Sequence, residues 1–496
     1  MKLNKHSVLY FLSFLYVITP VSIFLIGYCK WYIAVISLCV LAFSLFNFFK
    51  DCFGDIASFA KVNEKDSRFD IERFLIVSLI VALWVYFSGI GAFVYQTSDH
   101  TCRNTIYEML VNYSWPVSNS DGRTLIYYIG FWLPSALIGK VAGIGIGYCA
   151  QALWAWCGIM LFYYLLCQWI GEMKIWPLVV FMSFSGLDII GYFFSGRDMS
   201  LVWGDNILEW WSYWQFSSFT TQLFWVFNQA LPVWIALMLI MNQKRNRYVV
   251  LILGSTLLCS TFPFVGLLLF AAYVVFFQWN KYAEQTGDKS AKIKLWFRDT
   301  FTFANVIGGG LTGIVSFLYL RGNESGMNVA SNVAGESSAK AKLMMYIVFI
   351  IVEVGVYFAL CYKYHKKSLL YWISFIWLCI CPAVVVGFGQ DFTMRASIPA
   401  QVILCLFVID TLRQSNRAKD YLLRNLLIVT LCIGAITPIH ELYMATSQTS
   451  IRYYSNEHIA AVNVDDDHIL YGHNFSGESE DDFFFKYVGS IPVIHK

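Results

Sequence analysis

The sequence predicts an all-α protein, a polytopic transmembrane helix bundle of about thirteen spans with a long outer loop that carries interfacial helices. Three observations predict it. Hydrophobic residues make up 58% of the chain and charged residues 14%, against about 25% charged in an ordinary soluble domain, and the mean hydropathy is +0.57. Apolar runs of roughly 17 to 25 residues, each long enough to cross about 30 Å of hydrocarbon, recur from the first residues almost to the end. Lys and Arg gather in every second loop, as they do on the cytoplasmic side of membrane proteins. Hydrocarbon offers the backbone no hydrogen-bond partner, so the spans must be helical.

The spans fall near 8–27, 31–50, 74–95, 146–170, 175–192, 222–242, 248–260, 263–278, 301–320, 343–362, 369–388, 396–412 and 425–440. The first follows Lys2 and Lys5, has no small-residue cleavage site and leads directly into another apolar run, so it reads as a retained anchor. With a cytoplasmic N-terminus the basic clusters all fall inside. They are Lys61, Lys65, Arg68 and Arg73; Lys244, Arg245 and Arg247; Lys281, Lys289, Lys292, Lys294 and Arg298; Lys363, Lys366 and Lys367; and Arg413, Arg417, Lys419 and Arg424. The apolar stretch 124–138 breaks that alternation if it crosses. It reads as re-entrant or interfacial, interrupted by Pro134 and anchored at the headgroups by Lys140. The pair 248–260 and 263–278, broken at Pro263, reads as a short hairpin. Residues 1–440 thus form the membrane domain, with outer loops 96–124, 193–221, 321–342 and 389–396, and 441–496 form a short extracytoplasmic tail. The acidic stretches of that tail, Asp465–Asp467 and Glu478 to Asp482, read as a solvated run.

Composition also excludes. A net charge of +3 over 496 residues is no polyanion-binding signature, so nucleic acid is not expected as a partner. The 13 cysteines lie scattered in apolar segments without a CxxC pair or zinc-type His spacing, and read as small core residues. No long internal repeat supports an inverted-repeat transporter.

Three outer loops carry the candidate chemistry. The first, from Tyr95 to Arg123, holds Asp99, His100, Arg103, Asn104, Glu108 and Asp121. A helix beginning near Asp99 puts Asp99 and Arg103 on one face; the plain alternative is an amphipathic helix whose acidic first turn favours the dipole. The second, from Phe194 to Thr221, interleaves Asp198, Asp205 and Glu209 with Trp203, Trp210, Trp211, Tyr213 and Trp214. Aromatic belts are common at membrane interfaces, but a belt that only anchors has no need of Glu209. In the third, Asp391 and Arg395 stand at i and i+4, either as a local ion pair or with the guanidinium fork presented to a phosphate. Asp188 and Glu353 are ionisable groups at membrane depth, and functional candidates on that ground.

A membrane helix leading into an outer loop with the early acidic residue of SDHTCRN, followed by LIYYIGFWLPSALIGK at 125–140, resembles the GT-C superfamily of polyprenyl-phosphate-sugar-dependent membrane glycosyltransferases, in a bacterial branch. Members carry a catalytic Asp or Glu in the first long outer loop, then a helix along the membrane surface, then a LPSAL-like stretch opening the next crossing. The resemblance covers roughly residues 74 to 240 and touches 387–401; two extra spans precede the acidic loop, and a single Asp stands where a paired acidic motif occurs. It implies a GT-C-like bundle in the bacterial inner membrane, a polyprenyl-linked sugar donor, and a glycan or lipid-linked glycan acceptor attacked on the extracytoplasmic face. Asp99 would be the general base. Arg395 and Asp391, with Arg103 or Lys140, would hold the donor phosphate. Glu209, Trp210, Trp211, His100 and Glu108 would hold sugar or acceptor. No cofactor is required; the carboxylates leave room for a divalent cation, though no ligand spacing demands one. The rival readings are a transporter or flippase of lipid-linked glycans, and a polysaccharide polymerase or ligase.

Overall fold

The computed structural model describes residues 5–54, 70–118, 122–196, 207–278, 280–283, 288–323, 339–386, 390–452 and 475–494. Lys2, Lys61, Lys65, Arg68, Asp121, Asp198, Trp203, Asp205 and Asp465–Asp467, all named above, lie outside the described residues.

The chain opens with α1 (Lys5–Tyr28), α2 (Trp31–Phe53) and α3 (Ile71–Phe87). Two helices of the long loop follow, α4 (Asp99–Asn112) and α5 (Leu133–Ala142), and then α6 (Ile144–Ile170). Next come the short α7 (Trp176–Met182) and α8 (Asp188–Phe194), the central α9 (Phe219–Met241), and the hairpin α10 (Val249–Thr256) and α11 (Phe262–Phe276). After these lie α12 (Asn280–Ala283), α13 (Lys289–Thr300), α14 (Gly310–Arg321), α15 (Ala339–Ile350), α16 (Val356–His365) and α17 (Leu369–Ile380). The last are α18 (Asp391–Ala396), α19 (Ile398–Arg417), α20 (Tyr421–Gly434) and α21 (Ile436–Arg452).

The all-α class and the membrane environment follow from these helices. Among the described residues seven helical segments are long and apolar enough to cross a bilayer, or eight if the pair 289–300 and 304–321, bent by 43°, is one span. That is fewer than the thirteen segments read from hydropathy, and the cause is local. The 175–192 segment is split into α7 and α8 by five non-helical residues at 183–187, and the 248–278 hairpin is built from helices of 8 and 15 residues, the second opened by Pro263. Hydropathy counts apolar residues and does not see where the helix ladder stops. The last span also runs further than expected, to Ser450 rather than residue 440.

α9 is the axis of the bundle and is buried along nearly its whole length, as expected for a helix that is apolar all round. It packs on α1, α6, α10, α11, α19 and α21. At one end of the bundle the basic clusters act as knots. Arg245 makes two 2.6 Å bonds to the buried Asp299, Arg247 and Tyr248 converge on Asp51 at the end of α2, and Arg413 donates to the Ile170 carbonyl at the end of α6. We call this the basic end.

The opposite end carries a small four-stranded sheet, β1 (Val117–Ser118), β2 (Arg123–Leu125), β3 (Ser476–Glu478) and β4 (Val493–Ile494), in the order β3-β2-β1-β4. The segment 475–494 therefore returns to the loop between α4 and α5. Phe484 and Phe485 are buried against Tyr319, and Asp482 accepts from the Phe484 and Phe485 amides. The backbone of the Glu478 to Asp482 run is thus held to the bundle by β3 and by the aromatic run that follows it, while the Glu478, Glu480 and Asp481 side chains stay exposed, as expected of a solvated run.

Candidate functional site

α4 begins at Asp99, so Asp99 and Arg103 share a helix face and Arg103 Nη2 donates to Asp99 Oδ2 at 2.9 Å. α18 begins at Asp391 in the same manner, and Arg395 Nη1 donates to Asp391 Oδ2 at 2.7 Å. Each ion pair follows from i,i+4 spacing alone. Their meeting does not. Asp391 lies within the electrostatic reach of Asp99 and Arg103, and Arg395 within that of Asp99, although nearly three hundred residues separate the two helices. Tyr127 and Tyr128, hydrogen-bonded to each other through their hydroxyls, stand beside both arginines.

Burial gives the quartet its character. The Arg103 and Arg395 side chains are 11% and 14% exposed, whereas Asp99 is 46% exposed. Each guanidinium has a fully buried nitrogen with no partner, Nη1 of Arg103 and Nε of Arg395. A buried donor without an acceptor is costly, and an anion could supply the acceptor that each of these lacks. Burial raises the Asp391 carboxyl in spite of Arg395. For Arg395 burial opposes the charge, but Asp391, the two tyrosines and Asp99 outweigh it and hold the guanidinium charged. Aromatic rings back the quartet: Arg103 lies 5.9 Å from the buried Phe227 ring, which also meets Phe131 and Trp132.

The other candidates separate from this quartet. Lys140 donates to the Val111 and Tyr113 carbonyls at the end of α4 and lies 5.0 Å from the Trp115 ring; it caps a helix and has no part in the quartet. Pro134 opens α5 at its first turn and does not interrupt it, which is where proline suits a helix. The surface helix expected over 125–140 is therefore shorter, and irregular backbone at 126–129 holds the tyrosines. Glu108 accepts from Tyr148 Oη at 3.0 Å, nine residues along α4 from Asp99, or about 13 Å at the helix rise. His100 is buried, with Nδ1 3.0 Å from Thr97 Oγ1; burial and then Arg103 push it down to about 3, so it stays neutral and faces the bundle.

Glu209 and Trp211 belong to a second, closed constellation. Glu209 accepts from the Ser218 amide, Thr221 Oγ1 and Gln215 Nε2, which pins the entry to α9. Burial, then the Asp188 and Glu441 carboxylates, raise its carboxyl well above the usual range. Trp211 Nε1 donates to Glu353 Oε1 at 2.8 Å. Asp188 accepts from Ser185 and Thr437, and Glu441 from Trp225. Gly186 is required there, because a Cβ would sit 1.9 Å from Glu353 Oε2. Both membrane-depth acids of the sequence thus lie in one cluster, together with Glu441, which sequence reading left out because it lies past the expected last span. Among the described aromatics of this loop Trp210 and Tyr213 are open, at 54% and 44% exposure.

Tyr127 and Tyr128 were also missed. Their signal was the YY pair ahead of Pro134, which a helical reading of 125–140 conceals. Among the described residues no three His, Cys, Asp or Glu side chains converge to hold a metal ion. No family model, curated protein or solved structure matches the chain.

Proposed function

We propose that the chain is a membrane glycosyltransferase of GT-C type that moves a sugar from a polyprenyl-phosphate donor to an acceptor hydroxyl on the extracytoplasmic face. The observation that supports this reading is the meeting of Asp99–Arg103 with Asp391–Arg395, in which two buried guanidinium nitrogens lack a partner beside a half-exposed carboxylate. Donor phosphate takes the two free N–H groups. The acceptor oxygen attacks the anomeric carbon and the carbon–phosphate-oxygen bond breaks; Asp99 takes the hydroxyl proton, and both arginines stabilise the charge that builds on the leaving phosphate. Direct displacement inverts the anomeric centre. The open Trp210 offers a stacking face for a sugar ring.

In this reading the basic end faces the cytoplasm of a bacterial inner membrane, the quartet faces outward, and the breaks between short helices lie inside crossings, for about thirteen in all. A cysteine at Glu480, in a background without other cysteines, is expected to react with an impermeant thiol reagent added to sealed cells, and one at Ser290 to stay unlabelled. Labelling of position 290 alone reverses the orientation.

The cluster of Asp188, Glu209, Glu353 and Glu441 is the one observation that favours a transporter or flippase, since buried acids at membrane depth mark transport paths. Five of its eight oxygens accept from Ser, Thr, Gln or Trp donors, which suits a structural role, whereas Asp188 Oδ1 and Glu353 Oε2 are buried without such a donor. Purified protein in liposomes with a panel of polyprenyl-phosphate sugars and glycan acceptors decides: a new glycosidic bond is the expected product, whereas movement of lipid-linked glycan across the bilayer without one supports transport. A product that grows by repeat units identifies a polymerase.

A further inference from the structure

A large apolar cavity lies away from the quartet, toward the basic end. It holds about 620 Å³, inside the range of pockets that bind small molecules. α6 is its floor, through Trp154, Cys157, Leu161 and Gln168, and α1 its wall, through residues from His6 to Thr19. Fourteen residues of helix make that wall about 20 Å long, two thirds of the hydrocarbon thickness of about 30 Å. The stacked rings of Tyr16 and Trp154, 4.0 Å apart, close the inner end. Leu12, 46% exposed, marks a side open to the bilayer. Protein interiors do not keep voids of this size, and in a membrane the filler of an apolar cleft is hydrocarbon.

The mouth is polar. Asp70 and Arg73, at the start of α3, form a 3.1 Å ion pair with side chains 42% and 31% exposed, and His6 meets Gln168 beside them. An anionic headgroup would find Arg73 but also the Asp70 carboxylate. A zwitterionic headgroup finds a partner for each of its charges: phosphate to Arg73, ammonium to Asp70. We propose that this cleft is a binding site for a phospholipid with an ethanolamine headgroup, one acyl chain lying between α1 and α6 and the headgroup clamped by Asp70 and Arg73. The site is separate from the quartet and holds whatever the quartet does.

The test uses the full chain in nanodiscs of equal parts phosphatidylethanolamine and phosphatidylglycerol, delipidated in detergent, with retained lipid counted by native mass spectrometry. One phosphatidylethanolamine per chain is expected, favoured over phosphatidylglycerol by about tenfold, the effect of one charge-assisted contact. Asp70→Asn keeps an oxygen that can cap α3 and is expected to abolish that preference. Leu161→Trp fills the cleft and is expected to remove the retained lipid of either kind. No retained lipid, equal retention of both lipids by the unaltered protein, or an unchanged ratio in Asp70→Asn overturns the assignment, and the last needs no cavity variant to fold.

Discussion

Asp99→Asn is expected to lower sugar transfer by about 10² to 10⁴-fold, the range a positioned general base contributes, while leaving protein level and donor-lipid binding near normal. The geometry makes the substitution clean. Arg103 bonds a single oxygen of Asp99, Oδ2, and an asparagine carbonyl oxygen can accept the same bond. The residue opens α4, where asparagine is also well tolerated. What disappears is basicity and one charge. A role limited to the helix start forecasts an active variant, so the two accounts part by orders of magnitude. Glu108→Gln is the internal control: Glu108 accepts one bond from Tyr148 at the far end of α4, and its amide can keep that bond. The forecast is near-normal turnover for Glu108→Gln, measured as initial rate with saturating donor. If Asp99→Asn is active, Asp99 leaves the mechanism; if Glu108→Gln alone is dead, the base is Glu108.

The sequence exposed the membrane class and the two ion pairs because both are local properties. Apolar run length is read from consecutive residues, and Asp99–Arg103 and Asp391–Arg395 are each one helical turn. That the pairs come within electrostatic reach of each other depends on the packing of α4 and α18 into the bundle, which no local pattern records. Where contacts differ from what residue type suggests, the cause is common, that amphipathic residues have two uses. Trp211 and Glu209 have the composition of a sugar platform, yet their polar atoms turn inward to Glu353 and to the start of α9. Lys140 has the charge of a phosphate ligand and spends it on carbonyls. Tyr127 and Tyr128 looked like two more residues of a surface helix. Burial and direction, which set these roles, come from packing and not from residue type.

Arg395 carries the second large expectation. Arg395→Lys keeps a positive charge near Asp391 but loses the fork and the buried Nε, and is expected to lower turnover by about 10² to 10³-fold, the cost of losing one preorganised donor to a transition state. Lysine can still pair with Asp391, so the fold should hold. Arg395→Ala is expected to lower turnover further, but it leaves a largely buried carboxylate without its partner, a situation that destabilises strongly while the charge persists. Asp391 has an exit, because burial already raises its carboxyl and a proton can be taken up in place of the arginine. The double variant Asp391→Asn with Arg395→Gln removes both charges together and separates pairing from phosphate binding. If the ion pair only holds α18 in place, the double variant should recover both folded protein and turnover. If Arg395 binds phosphate, the double variant should recover folded protein, followed by thermal unfolding in detergent, and remain inactive. Unchanged turnover in Arg395→Lys and Arg395→Ala, or damage to folding by Asp391→Asn equal to that by Arg395→Ala, would show that the pair is structural and that the phosphate is held elsewhere.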